Sequence, residues 1–525
     1  MTNSISEIDG ADVVFIIGSN TTEQHPLIGH RVIRALERGA KIIVADPRKT
    51  QIAKLSSLHM MLNLGTNVAL LNGMMNVIIS EGLEDKEFIA ERTEDFESLK
   101  KAVADYTPEK SARITGVPKE KIIEAARIYA HSRKSIIIYA MGITQYVAGT
   151  DNVISCANLA MLTGNVGKEF TGVDPLRGQN NVQGACDMGA LPNVFPGYQS
   201  VTDEKLKSKF EKAWNASLSP KPGLTVVEML NSALEGNVKA MYIMGENPML
   251  SDPDINHVEK ALNALGFLVV QDIFLTETAS LADVVLPGVS FAEKDGTFTS
   301  TERRIQQIRK AIEHLGNSKP DWEIIAELSS RMRYAMHYSS PREIMDEVAE
   351  LTPIYGGISY ERLENHGLQW PCPTRDHPGT PYLHKGSFSR GLGKFCPVSY
   401  KPPAELPDNN YPFILTTGRI GFHYHTGTMT RKDWALDREC PRGYAEVNSQ
   451  DAKELGIRNG QMAKVISRRG EINLPLRSVD TIGKGIVFIP FHFAEAAANR
   501  LTAANLDPGA KIPEFKVCAV RLERG

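Results

Sequence analysis

Short apolar runs alternate with longer amphipathic stretches along the first part of the chain. ADVVFIIGSN is an apolar run that ends in turn residues, HPLIGHRVIRALERG has apolar residues three and four apart, and AKIIVADPRKT is a second apolar run. Runs of this length indicate buried strands, and the three-to-four spacing indicates a helix. The order therefore predicts a βαβ unit, followed by helical stretches at 68–81 and 85–106 and a further strand in KSIIIYAMG.

The same pattern starts again near residue 238, with NVKAMYIMGENP, DINHVEKALNALG and FLVVQDIFLTETASLADVVLP. Asp46 lies 26 residues after the turn 18–20 (Gly-Ser-Asn), and Asp272 lies 25 residues after the turn 245–247 (Gly-Glu-Asn). Backbone N–H groups at such a turn can face a pyrophosphate, and the acid one strand over can accept from ribose or base. Two pairs in matched register indicate duplicated nucleotide-binding halves, and coincidental turns in ordinary α/β packing are the alternative. Neither turn is GxGxxG, which favours a dinucleotide other than NAD.

From about residue 405 the pattern changes to strand-like pieces separated by glycines and prolines, with the single helix SQDAKELGI. This pattern predicts a mostly β domain, plausibly a barrel, after a proline-bearing linker at 401–412. The predicted fold class is α/β, with two pseudo-equivalent Rossmann-like domains and a carboxyl-terminal barrel. The predicted domains are 1–180, 181–400 with a small β insertion near 292–320, and 405–525.

Composition restricts the possible partners. The 525 residues are 42% hydrophobic and 23% charged with a formal net charge of -3, so nucleic acid and anionic membrane surfaces are not expected partners. No apolar run approaches the ~20 residues of a membrane span, and the first residues lack an export signal, so a cytoplasmic location is the default. The six cysteines form no CxxC pair, so they predict neither a zinc site nor a cluster site.

The densest polar loop is RGQNN at 177–181. The guanidinium of Arg177 is a planar fork suited to a carboxylate or a phosphate. A purely structural loop, whose amides cap neighbouring helices, is the alternative for the isolated motif.

The longer stretch LTGNVGKEFTGVDPLRGQNNVQGACDMG resembles the molybdopterin oxidoreductase family, and specifically its formate dehydrogenase branch. The resemblance continues through DPRKT, YAMGITQY, IMGENP, VVQDIFLTETA, ADVVLPG, EKDGTFT, TTGRIGFHYHTGTMTR and PEFKVCAVR. It implies a catalytic subunit that oxidises formate to CO2, or runs the reverse reaction. The implied cofactor is bis-molybdopterin guanine dinucleotide with molybdenum or tungsten, and the implied carboxyl-terminal fold is a six-stranded β-barrel.

The resemblance also assigns roles to individual residues. Arg177 would hold formate. The first dinucleotide would be bound by Gly18, Ser19, Asn20, Glu23, Asp46 and Arg48, and Gly65 and Asn67 would belong to a separate cofactor-contact motif. The second would be bound by Asn247, Asp272, Thr276, Lys294 and Asp321. Residues near the pterins and the metal would be Met141, Gln145, Gly178 and Gln179. Contacts from the barrel would be Thr417, Gly418, Arg419, His423, His425, Thr426, Phe491, Asn499 and Lys516, and the two histidines would be pterin neighbours rather than metal ligands.

One departure from the family pattern falls at 65–67, where this chain has Gly-Thr-Asn and the family often has Gly-Thr-Asp. Asparagine keeps the acceptor and loses the charge. A guanine contact that needs an anion at Asn67 would be weakened.

The family pattern places a [4Fe-4S] segment with four cysteines, then a cysteine or selenocysteine metal ligand, before the point that corresponds to Met1. We therefore expect Met1 to match an internal methionine, and an in-frame UGA codon would explain such a start. Electrons would leave to an iron–sulfur or flavin partner subunit or carrier. HTGTMTR also resembles nitrate reductases, so an oxo-anion reductase is one alternative, and a non-catalytic electron-transfer scaffold is the other.

Overall fold

A computed structural model describes all 525 residues, which form two compact units, Met1–Leu176 with Tyr382–Gly525 and Arg177–Pro381. The strands of the first segment are β1 Val13–Ile17, β2 Lys41–Ala45, β3 Leu58–Met60, β4 Thr93–Glu94, β5 Ser135–Tyr139 and β6 Gly172–Pro175. Its helices are α1 Thr21–Gln24, α2 Pro26–Glu37, α3 Gln51–Leu55, α4 Asn67–Ser80, α5 Lys86–Arg92, α6 Phe96–Val103, α7 Pro108–Thr115, α8 Lys119–His131, α9 Met141–Thr144 and α10 Gly149–Leu162.

The first sheet is parallel, with strand order β3-β2-β1-β5-β6. Alternate residues of the central strand pack into two different cores: Phe15 belongs to one hydrophobic cluster and Val14 and Ile16 belong to the other. This alternation explains why β1 is apolar throughout, because helices cover both faces of the sheet. The strand order reverses between β1 and β5, and ligands bind at such a switch point in open α/β sheets.

The second unit repeats the beginning of this arrangement on a smaller scale. Its strands are β7 Val194–Phe195, β8 Gln199–Ser200, β9 Ala240–Met244, β10 Phe267–Asp272, β11 Val284–Pro287, β12 Gly296–Thr299, β13 Arg304–Ile308 and β14 Leu368–Gln369. Its helices are α11 Val182–Asp187, α12 Glu204–Trp214, α13 Val226–Leu234, α14 Pro248–Ser251, α15 Ile255–Asn263, α16 Asp321–Arg331 and α17 Pro341–Leu351. The parallel order β11-β10-β9 matches the order β3-β2-β1, and β12, β13 and β14 form a separate antiparallel sheet.

The carboxyl-terminal segment of the first unit is a closed barrel with strand order β16-β20-β17-β19-β18-β21. Its strands are β16 Phe413–Gly418, β17 Ala445–Asn448, β18 Met462–Ile466, β19 Glu471–Val479, β20 Ile486–Pro490 and β21 Cys518–Arg524; β15 Gly393–Lys394 precedes them, and the helices are α18 Trp434–Glu439 and α19 Ser449–Glu454. The core includes Leu415, Val447 and Val520. The predicted α/β class with a six-stranded barrel is confirmed.

The expected continuous helix at 85–106 is wrong, because β4 separates α5 from α6. Asp95 adopts a left-handed conformation with φ of 65°, which ends any helix passing through it. Residues 93 and 94 pair instead with β15, far along the chain. No α-helix of the protein has both the length and the apolar character that crossing a bilayer requires.

Candidate functional site

Two glycine turns meet at the switch point of the first sheet. Gly18 has φ of 60°, and its N–H donates to the Ala45 carbonyl at 3.0 Å. The Gly142 N–H donates to the Gly18 carbonyl at 3.0 Å. A Cβ on either glycine would lie 2.5 Å from backbone atoms of the other, so both positions require glycine. This contact brings the turn after β1 beside the turn after β5.

Four buried polar atoms around the first turn have no hydrogen-bond partner: Ser19 Oγ, Asn20 Nδ2, Thr21 Oγ1 and Arg48 Nε. An unpaired buried polar group costs about 1–3 kcal/mol. Several such groups concentrated in one crevice are the arrangement expected where a polar ligand supplies the missing partners. The crevice therefore fits a dinucleotide at the end of β1.

An acidic side chain follows the neighbouring strand. Asp46 Oδ1 accepts from the Arg48 N–H at 2.9 Å. Burial raises the pKa of Asp46 to about 6, although the N–H and charge of Arg48 and the charge of Lys516 oppose this shift. A ligand that donates a hydrogen bond to this carboxylate would stabilise its charged form.

The barrel adds positive charge beside Asp46. Arg48 Nη2 donates to Glu446 Oε2 at 2.8 Å, and its guanidinium lies 3.5 Å from the centre of the Phe488 ring. Lys516 Nζ donates to the Thr417 carbonyl at 2.7 Å. Burial lowers the pKa of Lys516 to about 8, and the nearby charge of Arg419 lowers it further while Asp46 opposes. Buried cations at this position suit an anionic phosphate group.

The two predicted histidines follow β16, where the chain turns without forming a strand. His423 is held between the Cys440 carbonyl, 2.8 Å from Nε2, and the Thr430 hydroxyl, 3.3 Å from Nδ1. His425 has φ of 48°, and its ring contacts that of Phe491 edge-on. Burial, with the charge of Arg419, lowers the pKa of His425 to about 4, so the ring is neutral at neutral pH.

His492 belongs to the same cluster and was not predicted from the sequence. The Ile420 N–H donates to its Nε2 at 3.0 Å, and its Nδ1 donates to the His425 carbonyl. Burial lowers the pKa of His492 to about 3. It therefore fixes the turn that carries His425. Its only sequence signal is its place between two phenylalanines, which is too common to use.

The remaining predicted residues of the first unit differ in burial and contacts. Asn67 begins α4 and is buried beside the Tyr146 hydroxyl. Thr426 Oγ1 lies 2.9 Å from Thr428 Oγ1. Thr417 and Asn499 are buried, and Glu23, Met141, Gln145 and Phe491 are half-buried. Gly65 has φ of 80°, and Gly418 packs against Phe488.

The second unit repeats the backbone of the first turn with different side-chain contacts. Gly245 has φ of 63°, and its N–H donates to the Gln271 carbonyl at 2.8 Å, as Gly18 does to the residue before Asp46. Asn247 Nδ2 donates to Glu277 Oε2 at 2.8 Å, and its Oδ1 accepts from the Thr278 hydroxyl at 2.7 Å. The amide of Asn247 is therefore satisfied by its own unit.

The other predicted residues of this half lie around the end of β10. Asp272 Oδ1 accepts from the Ile273 N–H at 2.6 Å, and burial raises the pKa of Asp272. Lys294 forms an ion pair with Asp321, whose Oδ1 also accepts from Gln271 Nε2 at 2.7 Å. The remaining residue of this set, buried Thr276, accepts from the Ala279 N–H at 3.1 Å.

The loop 177–181 is built around Arg177. Its N–H donates to Thr301 Oγ1 at 3.1 Å, and its Nε donates to Gln183 Oε1 at 3.3 Å. Gly178 and Gln179 follow it as half-buried loop residues. Gln183 in turn donates to the buried carboxylate of Asp187. Gln183 and Asp187 were not predicted as site residues, although their spacing of four residues places them on one face of a helix.

The chain places no group of three or more His, Cys, Asp or Glu side chains where they could hold a metal ion. Its six cysteines are free thiols.

The protein has two related sheets of the dinucleotide-binding type, and its barrel places cations beside one of them. A crevice of unpaired polar atoms lies next to the same sheet. These features define a protein that binds a large nucleotide-containing cofactor. The family model described as Molybdopterin oxidoreductase matches residues 1–331, and the one described as Molydopterin dinucleotide binding domain matches residues 413–519. The chain belongs to the molybdopterin oxidoreductase family. The predicted family and the molybdopterin cofactor with molybdenum are confirmed, and the chain is an oxidoreductase.

Several relatives match over the whole chain. The F420-dependent formate dehydrogenase subunit alpha of Methanocaldococcus jannaschii is 58% identical, with 100% of this chain and 78% of that protein covered. The F420-dependent formate dehydrogenase 1 subunit alpha of Methanococcus maripaludis is 54% identical, with the same coverage. Formate dehydrogenase H of Escherichia coli is 45% identical, with 100% and 74% covered. The predicted resemblance to the formate dehydrogenase branch is thereby confirmed.

A solved structure, the acetylene hydratase of Pelobacter acetylenicus, aligns with a TM-score of 0.77 at 20% identity. The alignment covers 99% of this chain and 81% of that chain. At this identity the match supports the fold and carries no information about the reaction.

Proposed function

We propose that this chain is the cofactor-binding, formate-oxidising part of a molybdenum- or tungsten-dependent formate dehydrogenase. The observation that carries the proposal is the set of relatives named formate dehydrogenase, which are 45–58% identical across the whole chain. The proposed reaction converts HCOO⁻ into CO2, one proton and two electrons. When bound, the bis-molybdopterin guanine dinucleotide with its metal accepts the two electrons.

Arg177 would bind the carboxylate of formate. Two parallel N–H···O bonds from the guanidinium would fix both the position and the orientation of this small anion. The charge of Arg177 would offset the loss of hydration when formate enters the site. Gly178 and Gln179, which follow in the same loop, would approach the cofactor.

The first dinucleotide would be held by the unpaired groups at the switch point. Ser19 Oγ and Asn20 Nδ2 would bind phosphate or ribose oxygens, and Asp46 would accept from ribose or guanine. Arg48 and Lys516 would neutralise the phosphate charge. These roles are supported by the burial of Ser19, Asn20 and Asp46 and by the missing partners of Ser19 Oγ, Asn20 Nδ2 and Arg48 Nε.

The second dinucleotide would be held by the matching turn in the other unit. Asn247 and Asp272 occupy the positions that correspond to Asn20 and Asp46. Thr276 and the Lys294–Asp321 pair would complete this half-site. Because Asn247 is already satisfied by Glu277 and Thr278, its contact with the cofactor would use the backbone of the turn or would exchange one of these bonds.

The proposal includes a [4Fe-4S] cluster and a cysteine or selenocysteine metal ligand on a segment outside the printed sequence. Electrons would pass through that cluster to a partner subunit. Three relatives at 53–58% identity are named F420-dependent, and we extend the proposal to F420 as the acceptor reached through that partner. The cytoplasmic location and the predicted domain bounds stay predictions.

The test is purification of the native protein with its partner, followed by metal analysis, pterin fluorescence and assays of formate-dependent F420 and viologen-dye reduction. The proposal predicts molybdenum or tungsten with two pterins per metal and reduction of both acceptors. Dye reduction without F420 reduction would contradict only the acceptor. Reduction of nitrate with no formate activity would favour the oxo-anion reductase. A protein with neither metal nor pterin would be the electron-transfer scaffold.

A further inference from the structure

Asp187, at the end of α11, is a fully buried carboxylate whose four side-chain partners are all neutral donors. Oδ1 accepts from Gln183 Nε2 at 2.8 Å and from the Tyr198 hydroxyl at 2.8 Å. Oδ2 accepts from the Tyr355 hydroxyl at 2.6 Å and from Trp370 Nε1 at 2.7 Å. A buried charge held only by neutral groups is costly and needs every one of these bonds.

The four donors come from distant parts of the unit. Gln183 lies one turn earlier on α11, and Tyr198 lies between β7 and β8 with φ of 60°. Tyr355 ends a short 3₁₀ helix, and Trp370 follows β14. Asp187 therefore joins four segments of the second unit at the base of the loop that carries Arg177.

The hydrogen bonds of the Gln183 side chain determine which end of its amide is the donor and which is the acceptor. Its Nε2 donates to Asp187 and to the Tyr198 hydroxyl, so its only acceptor, Oε1, faces Arg177 Nε at 3.3 Å. An amide can present its oxygen on one side only, so Asp187 decides which end of Gln183 faces Arg177. The Nε contact fixes the plane of the guanidinium.

We propose that Asp187 is a positioning residue that sets the Arg177 guanidinium for formate by fixing the orientation of the Gln183 amide. This inference rests on the proposed function, because it assigns a partner to the residue that would hold formate. Neither Asp187 nor Gln183 touches the substrate in this arrangement. Their effect is transmitted through the Nε of Arg177.

The variant Asp187→Asn gives a specific consequence. Trp370 Nε1 can only donate, so the Asn oxygen must stay on the Trp370 side and the Asn amide must face Gln183. Tyr198 can rotate its hydroxyl to accept, whereas Gln183 must flip to present its oxygen to the new amide. The flipped amide then presents N–H groups to Arg177 Nε, which is also a donor, so the guanidinium loses its hydrogen bond to Gln183.

The double variant Asp187→Asn with Gln183→Glu reverses this defect. The carboxylate at position 183 can accept from the Asn amide, from Tyr198 and from Arg177 at once. The pair keeps one negative charge in the network and moves it from position 187 to position 183, whose side chain contacts the guanidinium. Gln183→Glu alone would place two carboxylates in contact, so the two changes are beneficial only together.

Glu347 provides a matched control in the same unit. Its two oxygens accept from Trp214 Nε1 at 2.9 Å and from the Tyr338 hydroxyl at 2.6 Å, so it resembles Asp187 in its aromatic donors. It has no recorded bond to Gln183 or Arg177. Glu347→Gln should therefore disturb local packing without affecting formate binding.

The experiment measures KM for formate, kcat, cofactor content and thermal midpoint for the holoenzyme variants. We expect Asp187→Asn to raise KM about tenfold to a hundredfold with a smaller effect on kcat. We expect the double variant to restore most of the wild-type KM, and Glu347→Gln to stay within about twofold of wild type. If Asp187→Asn does not fold, Gln183→Met tests the same link, because it removes the acceptor of Arg177 and leaves the other three donors of Asp187.

Arg177→Met separates this inference from the proposed function. If Arg177→Met raises KM and neither Asp187→Asn nor Gln183→Met does, the positioning role is wrong and the formate role of Arg177 stands. Failure of the double variant to improve on Asp187→Asn would also overturn the positioning role. If Arg177→Met leaves KM unchanged, both the role of Arg177 and the inference fail.

Discussion

The turns at 18–20 and 245–247 have the same backbone conformation but differ in whether the amide nitrogen of their asparagine has a hydrogen-bond partner. In both, a glycine with positive φ donates to the last carbonyl before the acidic side chain of the neighbouring strand. Asn20 Nδ2 is buried without a partner, whereas the amide of Asn247 is bonded to Glu277 and Thr278. The duplicated backbone therefore fixes where a dinucleotide can bind. The side chains decide how far the hydrogen bonding of each half depends on the bound dinucleotide.

The largest difference between the halves is expected in the free energy of unfolding of the variants Gly18→Ala and Gly245→Ala. Both variants place alanine at positive φ, which costs about 1–2 kcal/mol. At Gly18 the new Cβ would also lie 2.5 Å from the backbone of Gly142, whereas at Gly245 nothing lies within 4 Å. We expect Gly18→Ala to lower the free energy of unfolding by about 3–5 kcal/mol, with overpacking adding to the φ strain.

Urea unfolding of the two glycine variants, together with pterin content, tests this difference. Gly245→Ala should lose only about 1–2 kcal/mol and keep its cofactor. Equal destabilisation of the two variants would show that the close approach of the two turns after β1 and β5 is not a structural requirement.

A second difference concerns the acidic side chain of the first half. Burial raises the pKa of Asp46 to about 6, above its ordinary value in the unfolded chain. The folded protein therefore binds this proton more tightly, and the cofactor-free protein loses stability as pH rises from about 4 to 6. A shift of this size corresponds to about 2–3 kcal/mol at neutral pH.

Asp46→Asn should remove this part of the pH dependence and raise the stability of the cofactor-free protein above pH 6. The free energy of unfolding is measured between pH 4 and 7 in protein made without molybdopterin. Burial also raises the pKa of Glu246 to about 6 in the second half, so a smaller slope should remain in the variant. If the slope of the unfolding free energy against pH is unchanged in Asp46→Asn, burial does not raise the pKa of Asp46 in the folded protein.

The smallest difference between the halves is expected in the cofactor-free stability of the variants Asn20→Ala and Asn247→Ala. Removal of the Asn247 amide takes the acceptor from the Thr278 N–H and hydroxyl and the amide donor from Glu277, so the cofactor-free protein should lose about 1–3 kcal/mol. Asn20→Ala removes an amide nitrogen that has no partner and one acceptor of the part-buried Thr22 hydroxyl, so it should change the cofactor-free stability by about 1 kcal/mol or less. Thermal midpoints of the cofactor-free proteins check this order.

The same two variants should reverse their order in cofactor retention. Asn20→Ala should lose pterin during purification more readily than Asn247→Ala, because the amide nitrogen of Asn20 has no partner within the protein whereas that of Asn247 is bonded to Glu277. Equal retention would mean that the unpaired amide of Asn20 does not contact the dinucleotide.

The sequence was sufficient to predict the two halves and the barrel because both depend on local signals. Apolar runs that end in Gly-Ser-Asn or Gly-Glu-Asn identify the turns, and short strands between glycines identify the barrel. The break at Asp95 was missed because it depends on the pairing of residues 93 and 94 with a strand 300 residues later. Non-local pairing overrides local helix propensity there.

The site was predicted in outline and missed in detail for the same reason. Gly18, Asn20 and Asp46 were identified from their spacing, but the sequence does not show which side chains remain unpaired after folding. Asp187 was missed because its importance depends on Tyr198, Tyr355 and Trp370, which no spacing rule connects. His492 was missed because its hydrogen bonds go to backbone groups.

The Arg48–Glu446 ion pair joins positions 398 residues apart in the chain. During synthesis at about 5–20 residues per second, the ribosome needs about 20–80 s to make the intervening segment. The β1–β5 sheet can form early in this interval, but its cationic side is completed only when the barrel has emerged. We therefore expect loading of the cofactor to follow translation of the whole chain.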